Sequence, residues 1–550
     1  MIRRFLFCNE RLLFRTKDAA SGKEIFSGIP PQAPVQVYDK EYWWSDAWDP
    51  MQYGRDYDFG RPFFEQMREL MYATPWPSRN VVRIVDSDYS NNAGDLKNCY
   101  LCFNAGSGED SAYLVDIFNQ KNCFDVSSTT SSELCYDGMA VRDCYKTFFS
   151  VTCEKCTDVW FSRDCIGCSD CFGCVNLRNK KYHIFNEPYT QEAYKEKMVT
   201  LNRGSYASLN EDKEHFRDLL LKHPRKYAMI SKSQNVSGDD ILGAKDCRHC
   251  FFVQPGSENC KYSLILIDGA KDIYDSVGAG MKAELVYESN SGVGQNLFFS
   301  NQSWGDHHTW YSNVCFDSSY LFGCTGLRDK QYCILNKQYT KEKYEELVPK
   351  IIEHMNTMPY TDTRGRVYTY GEFFPPELSP FKYNETIAQE YYPLSKEDAL
   401  EQGYSWRDPE VREYNVSIKS TDLLDNIKDV QDSVLQETIG CEHEGKCKEQ
   451  CTTAFRIISQ ELEFYRKMNL PVPRLCPNCR HYQRLKQRNL LKLWHRKCTC
   501  AGARSENGVY SNTITHFHNA NHCPNEFETS YAPERPEIVY CEQCYQAEVV

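Results

Sequence analysis

Cysteine spacing constrains this chain more than any other feature of its sequence. Cys102, Cys123, Cys144 and Cys165 follow one another at 21-residue steps, and Cys135 with Cys156 and Cys153 with Cys174 keep the same step. The residue after each member of the main series is Phe103, Phe124, Tyr145 or Ile166. A period near 20 residues marks stacked repeats, in which each unit covers the apolar face of the last. From about residue 84, clusters of Gly, Asn, Asp and Ser separate short apolar runs, a pattern of strands between turns. Stacking such coils at about 4.8 Å lines the cysteines up along one axis. The expected fold is mainly β, a right-handed parallel β-helix of about 21 residues per coil.

The unit recurs. Leu-Arg-Asn-Lys-Lys-Tyr-His-Ile-Phe-Asn at 177–186 returns as Leu-Arg-Asp-Lys-Gln-Tyr-Cys-Ile-Leu-Asn at 327–336, and Tyr189-Thr190 returns as Tyr339-Thr340. Cys165 and Cys174 map onto Cys315 and Cys324. Two β-helical modules, 84–189 and 231–339, follow from this duplication, with helical segments at 190–230 and after 340 opened by Thr190 and Thr340. Under the same offset, Cys123 and Cys135 become Ile273 and Leu285, while Cys153 and Cys156 become Ser303 and Asp306. Ile and Leu bind no metal, so the inward slots are read as packing positions for small buried side chains rather than metal sites or disulfides. Asp306 does not fit that reading, and its slot is expected to be exposed or polar.

Residues 41–83 interleave Tyr42, Trp43, Trp44, Trp48 and Tyr53 with Asp46, Asp49 and Asp56, and are read as a cap over an open end of the repeats. Residues 1–40 echo the C-terminus without its thiols. Asn9, Phe14 and Lys17 match Asn489, Trp494 and Lys497, which brings Asp18 onto Cys498, Asp39 onto Cys541 and Tyr42 onto Cys544. This segment is expected to be a degenerate, metal-free ribbon, with Met1 a late start or a truncation. Residues 340–440 form a helix and a Pro-rich connector. Within it Ser395 is placed to cap one short helix and Gly403 to end it, and a further helix is expected from Asp422 to Glu437.

Residues 441–550 carry the most specific chemistry. Cys447 with Cys451, Cys476 with Cys479, Cys498 with Cys500 and Cys541 with Cys544 fall in pairs, with Cys523 alone between the last two, and thiolates two or three residues apart on a tight turn can reach one tetrahedral Zn²⁺ at about 2.3 Å. Four thiolates leave no open position, so such an ion is structural. The preferred pairing puts one zinc on Cys447, Cys451, Cys476 and Cys479, with Cys441 as the alternative to Cys447. A second takes Cys498, Cys541 and Cys544 with either Cys500 or Cys523. A rival joins Cys476 and Cys479 to Cys541 and Cys544 in a single site. His516, His518 and His522 lie near Cys523, in a polar loop where histidines are mostly solvated.

Charge divides the chain. It carries −12 in all, yet residues 441–550 hold 15 Lys/Arg against 12 Asp/Glu. Arg480, Arg484, Arg488, Lys492 and Arg496 recur every four residues and would form one cationic stripe on a helix. That stripe either grips phosphates or docks on the acidic body of the same chain. With no apolar run long enough for a membrane span and no secretory signal, 28 cysteines indicate reduced thiols and a cytoplasmic location. No catalytic motif stands out. The remaining enzymatic reading places Asp143 and Asp164 about 5 Å apart on adjacent coils, near the carboxylate separation of retaining glycosidases.

At Gly173-Cys174-Val175-Asn176-Leu177-Arg178-Asn179-Lys180, and at Phe464-Tyr465-Arg466-Lys467 through Arg474-Leu475-Cys476-Pro477-Asn478-Cys479-Arg480, the chain resembles an uncharacterised family of small-genome uncultivated bacteria. Its members join zinc ribbons to cysteine-rich repeats and sometimes carry a CaiB/BaiF coenzyme A transferase label, which a duplicated solenoid with thiolate clusters does not support. The resemblance covers nearly the whole chain and departs at Asp18 and Asp39, where the family's N-terminal ribbon has cysteines. It brings no known activity. The expectation is a cytoplasmic, non-catalytic zinc-binding scaffold with nucleic acid as the favoured partner and protein as the other. A carbohydrate-active β-helix enzyme is the alternative.

Overall fold

The computed structural model describes residues 1–408 and 414–549. The chain is mainly β, with few helices, and two large sheets dominate it. The first is an 11-stranded sheet running from Val81–Val85 to Glu187–Pro188, its strands hydrogen-bonded in sequence order. The second is a 13-stranded sheet from Ile230–Ser231 to Lys337–Gln338. Pairing is parallel throughout each ladder except for an antiparallel turn-back at its end.

A three-residue rhythm builds the first ladder. Asn98, Leu101, Asn104, Ser107 and Asp110 all have φ near +50°, and nearly every third residue continues so to Phe185. Asn and Asp enter this left-handed region most easily, whereas a Leu or Tyr there costs roughly 1 kcal/mol. The residue after each left-handed corner turns inward and is buried: Cys99, Cys102, Ala105 and Ser111 in this run. Paired residues are 12 apart, as Val81 with Ala93, Cys102 with Leu114 and Val159 with Cys171. The expected 21-residue coil is thereby corrected. Small inward residues recur at every third position, so any multiple of three aligns cysteines along the sequence, but hydrogen bonds select the step of 12.

The same rhythm explains the thiols. Ser111 Oγ donates to the Glu109 carbonyl (2.7 Å) and accepts the Cys123 N–H one step on (3.0 Å). Cys144 does the same with sulfur, donating to the Arg142 carbonyl (3.2 Å) and accepting the Cys156 N–H (3.3 Å). Ser150 repeats the pattern with the Phe148 carbonyl and the Ser162 N–H. Where an inward position must satisfy backbone on two steps, Cys and Ser serve alike, and elsewhere the interior takes Ala, Val and Leu.

The second ladder is less regular. Phe251 pairs with Leu264 and Leu264 with Val277, steps of 13; Val286 pairs with Leu297, a step of 11, before Ser303 with Cys315 restores 12. A constant offset between the ladders therefore fails upstream. Ile273 is buried inward, but Leu285 is 47% exposed at a left-handed corner and fills no slot equivalent to Cys135. Asp306 is fully buried, and its Oδ1 accepts the Ser318 N–H at 2.8 Å, the task Ser and Cys perform elsewhere.

Thr190 and Thr340 cap helices Gln191–Thr200 and Lys341–Thr357, and Ser395 caps Lys396–Glu401. The expected helix from Asp422 to Glu437 is instead short 3-10 turns, and Leu423, Ile427, Val430 and Val434 pack into the first ladder's aromatic cluster. Within residues 41–80 the segment around Pro50 and Arg55 meets the end of the second ladder, where the Arg55 N–H donates to the Leu335 carbonyl (3.1 Å) and Asn336 Nδ2 to the Pro50 carbonyl (3.1 Å), whereas Val81 already opens the first ladder. No helix among the described residues is long and apolar enough to cross a membrane.

Candidate metal centre

Three hairpins of one design surround the ladders. In each, one ligand-bearing residue follows the first strand, a second precedes the return strand, and a short helix begins at a further pair. In the C-terminal copy, Trp494–Lys497 pairs antiparallel with Glu526–Thr529, flanked by Cys498 and Cys523, and Cys541 and Cys544 open helix Glu542–Val549. In the middle copy, Ile439–Gly440 pairs with Ala454–Phe455, flanked by Cys441 and Cys451, and Cys476 and Cys479 open helix Pro477–Leu485. In the N-terminal copy, Phe14–Lys17 pairs with Glu24–Ser27, and the four positions are Asp18, Ser21, Asp39 and Tyr42.

The backbone repeats with the residues. Cys498 Sγ accepts the Cys541 N–H at 3.2 Å and Cys441 Sγ the Cys476 N–H at 3.3 Å; Asp18 Oδ1 accepts the Asp39 N–H at 3.0 Å. Ser21 donates its hydroxyl to Asp18, so a hydrogen bond joins the two positions that are thiols elsewhere. These contacts hold the Asp18 carboxyl below its ordinary range despite the opposing cost of burial.

Cys441, Cys451, Cys476 and Cys479 place all four sulfurs within 4.8 Å of one another, as do Cys498, Cys523, Cys541 and Cys544. Cys441 and Cys479 sulfurs are 3.9 Å apart, Cys451 and Cys476 4.0 Å, Cys523 and Cys541 3.8 Å. Four thiolates at about 2.3 Å from a tetrahedral ion stand about 3.8 Å apart, so both sets fit such an ion. Pro477 at the first helical position leaves no wasted N–H. The four-sulfur groups contain Cys441 and Cys523, while Cys447, 3.7 Å from Cys479 Sγ, and Cys500 fall in neighbouring groups. Cys476 and Cys479 do not join Cys541 and Cys544, as the rival site required.

Two further groups share one thiol with these sets: Cys500, His516 and His518 with Cys544, and His443, Cys447 and Glu449 with Cys479. His516, His518, His443 and Glu449 are the residues sequence reading left out. The available signal was position, since each lies between the two thiols of a hairpin. All four groups fall within residues 441–544; no such group occurs among the ladder cysteines of the described residues.

The cationic stripe is not one surface. Its helix ends at Leu485, and Trp494–Lys497 is a strand because it pairs with a distant partner. Arg480 and Arg484, 7% and 1% exposed, turn into the first ladder. Arg480 meets Asp125 (2.9 Å) and Glu461 (3.0 Å), and Arg484 meets Asp125 (3.0 Å). Burial drives the Asp125 carboxyl upward and the two guanidiniums oppose it. Arg488 stacks over Tyr391 at 4.2 Å, and Arg496 donates to the Ala532 carbonyl at 3.1 Å. Lys492 alone of the five is exposed, over the Trp494 ring. The stripe is chiefly internal docking.

Asp143 and Asp164 are not neighbours either. The step of 12 sets Asp143 beside Lys155, and Asp164 beside Thr152, whose hydroxyl it accepts. Asp164 is buried against Arg225 (3.2 Å) and Arg163. The carboxylate pair of the glycosidase reading does not form.

No family model matches the chain, and no curated protein matches it. Among solved structures, the chain is similar to a crystal structure described as "putative acetyltransferase from Desulfovibrio desulfuricans G20", at 8% identity over 52% of this chain and 86% of that one. The TM-score is 0.10, too low to carry an argument about fold or activity.

Proposed function

We propose that the chain is a non-catalytic scaffold whose two ladders are β-helical modules, right-handed as parallel crossovers usually are, clamped by zinc ribbons. One observation carries this reading: two four-thiolate sets, one wholly buried and the other buried but for the half-buried Cys451, with tetrahedral spacing and no open coordination position. An all-sulfur set favours zinc over harder cations, and a closed one holds structure rather than activating water. Both sets sit at helix starts whose elements are tied to the rest of the chain. Helix Pro477–Leu485 locks on through Arg480 and Arg484, and Val539–Tyr540 pairs with Arg225–Lys226. The proposed setting is cytoplasmic, and the proposed kinship is with the zinc-ribbon family that the chain resembles.

Nucleic acid remains the proposed partner only through the exposed Lys492, His495 and Lys497 beside Trp494, since the deeper arginines are engaged within the chain. Metal analysis of the purified full chain is expected to find at least two zinc ions. Stripping them with a strong chelator should make residues 441–549 protease-sensitive while the ladders resist. A chain without bound metal, or one whose tail stays protected after stripping, overturns the scaffold reading. Absence of RNA or DNA binding at low salt removes the nucleic-acid partner and leaves protein.

A further inference from the structure

The C-terminal hairpin differs from its N-terminal counterpart by an insertion. Between Asp18 and Ser21 stand only Ala19 and Ala20; between Cys498 and Cys523 the chain runs through residues 499–522. That excursion brings Cys500, His516 and His518 against Cys544, all four buried and their ligand atoms mutually within 4.8 Å. His516 Nδ1 lies 3.2 Å from Cys500 Sγ, and His518 Nε2 lies 3.3 Å from Cys544 Sγ.

The outer nitrogens are equally engaged. His516 Nε2 meets Glu548 Oε1 at 2.8 Å, and His518 Nδ1 meets the Asn521 carbonyl at 2.7 Å. A carboxylate or carbonyl behind each ring fixes the tautomer that aims its other nitrogen inward, the arrangement that supports histidine ligands of metals. Glu548 is itself held by Tyr510 Oη (2.8 Å) and the Thr513 N–H (2.9 Å). Asn512 Nδ2 donates to Cys500 Sγ at 3.1 Å, as amides do toward metal-bound sulfur.

We propose that Cys544 bridges two metal ions: one in the set Cys498, Cys523, Cys541 and Cys544, the other held by Cys500, His516, His518 and the same Cys544 sulfur. Two nitrogens and two sulfurs in a closed, buried shell suit zinc in a structural role. The corresponding group in the middle hairpin is less closed, because its His443 and Cys447 are only half-buried and Glu449 Oε1 is taken by Lys486 and Gln483. The inference rests on the scaffold reading, and the test separates the two.

The experiment compares metal content of the full chain with that of His516→Ala/His518→Ala. The double variant is expected to lose one ion and keep the rest. Chain loaded with cadmium-113 should show two cadmium resonances coupled to each other through the shared sulfur, a coupling absent from the variant. Glu548→Gln, which touches no ion, should weaken one site about 10–100-fold in chelator competition and leave the others unchanged. Equal metal content in wild type and double variant, without cadmium–cadmium coupling, overturns the bridge and leaves the scaffold standing. A wild-type chain with no metal overturns both.

Discussion

At the scale of single residues, those ladder positions that receive an N–H from the next step hold a short hydrogen-bonding side chain, which is why Ser111, Cys144 and Ser150 play one part. Cys144→Ser keeps the donor to the Arg142 carbonyl and the acceptor for the Cys156 N–H, so stability should move by under about 1 kcal/mol. Cys144→Val fills the space but strands the Cys156 N–H, and should cost about 1–3 kcal/mol in the denaturant midpoint. Equal effects of the two would refute the hydrogen-bonding role. Asp306 performs the same task at a higher cost, and burial pushes its carboxyl up to about 8. Folded, it stays neutral through neutral pH, whereas the unfolded chain ionises near the ordinary aspartate value of about 4. Its contribution is therefore complete below about pH 4 and is lost as pH rises to about 8, at about 1.4 kcal/mol per unit. Asp306→Asn removes that slope, so the stability difference between variant and wild type should widen from pH 5 to pH 8. Parallel pH curves would show that Asp306 is not the titrating group.

At the scale of elements, docking arginines and thiol pairs divide the labour in helix Pro477–Leu485. Its first turn carries Cys476 and Cys479, and its last turn plants Arg484 on the buried Asp125. Arg484→Ala leaves that carboxylate buried beside only Arg480, and should cost about 3–5 kcal/mol by chemical denaturation. An unchanged midpoint would return Arg484 to the solvent-facing stripe. Caps at Thr190, Thr340 and Ser395 were legible because a cap is local chemistry. The fate of the cationic run was not, because the four-residue spacing from Arg480 to Arg496 would make one stripe on a helix, while strand Trp494–Lys497 is fixed by Glu526–Thr529 far along the chain. The echo between the first and last hairpins was readable, and yields a sharp test. Restoring thiols with Asp18→Cys, Ser21→Cys, Asp39→Cys and Tyr42→Cys should add one zinc per chain by metal analysis. No gain would mean that the hairpins share backbone but not ligand geometry.

At the scale of the molecule, the sequence showed a repetitive, mainly β chain with thiol clusters at one end, but it hid the step. A three-residue rhythm yields alignments at 9, 12 or 21 residues alike, and only backbone pairing, as between Val159 and Cys171, picks one. The fourth thiols were hidden for a similar reason: Cys441 and Cys523 are chosen by where hairpins fold back, not by spacing to the next cysteine. The assembled tail then touches both ladders. Arg484 reaches Asp125 in the first, Asn489 Nδ2 meets Asp239 of the second at 3.0 Å, and Val539–Tyr540 adds to Arg225–Lys226 between them. Direct contact between ladders includes the ion pair of Arg142 and Asp240. Metal bound only to the folded tail stabilises every element that the tail grips. Calorimetry of the metal-loaded chain should therefore show one cooperative transition, whereas the stripped chain should show two, with the tail melting first and the ladders following separately from it. A stripped chain that still unfolds in one step at the same temperature would mean that the ladders hold each other without the metal clamp, through contacts such as Arg142 with Asp240.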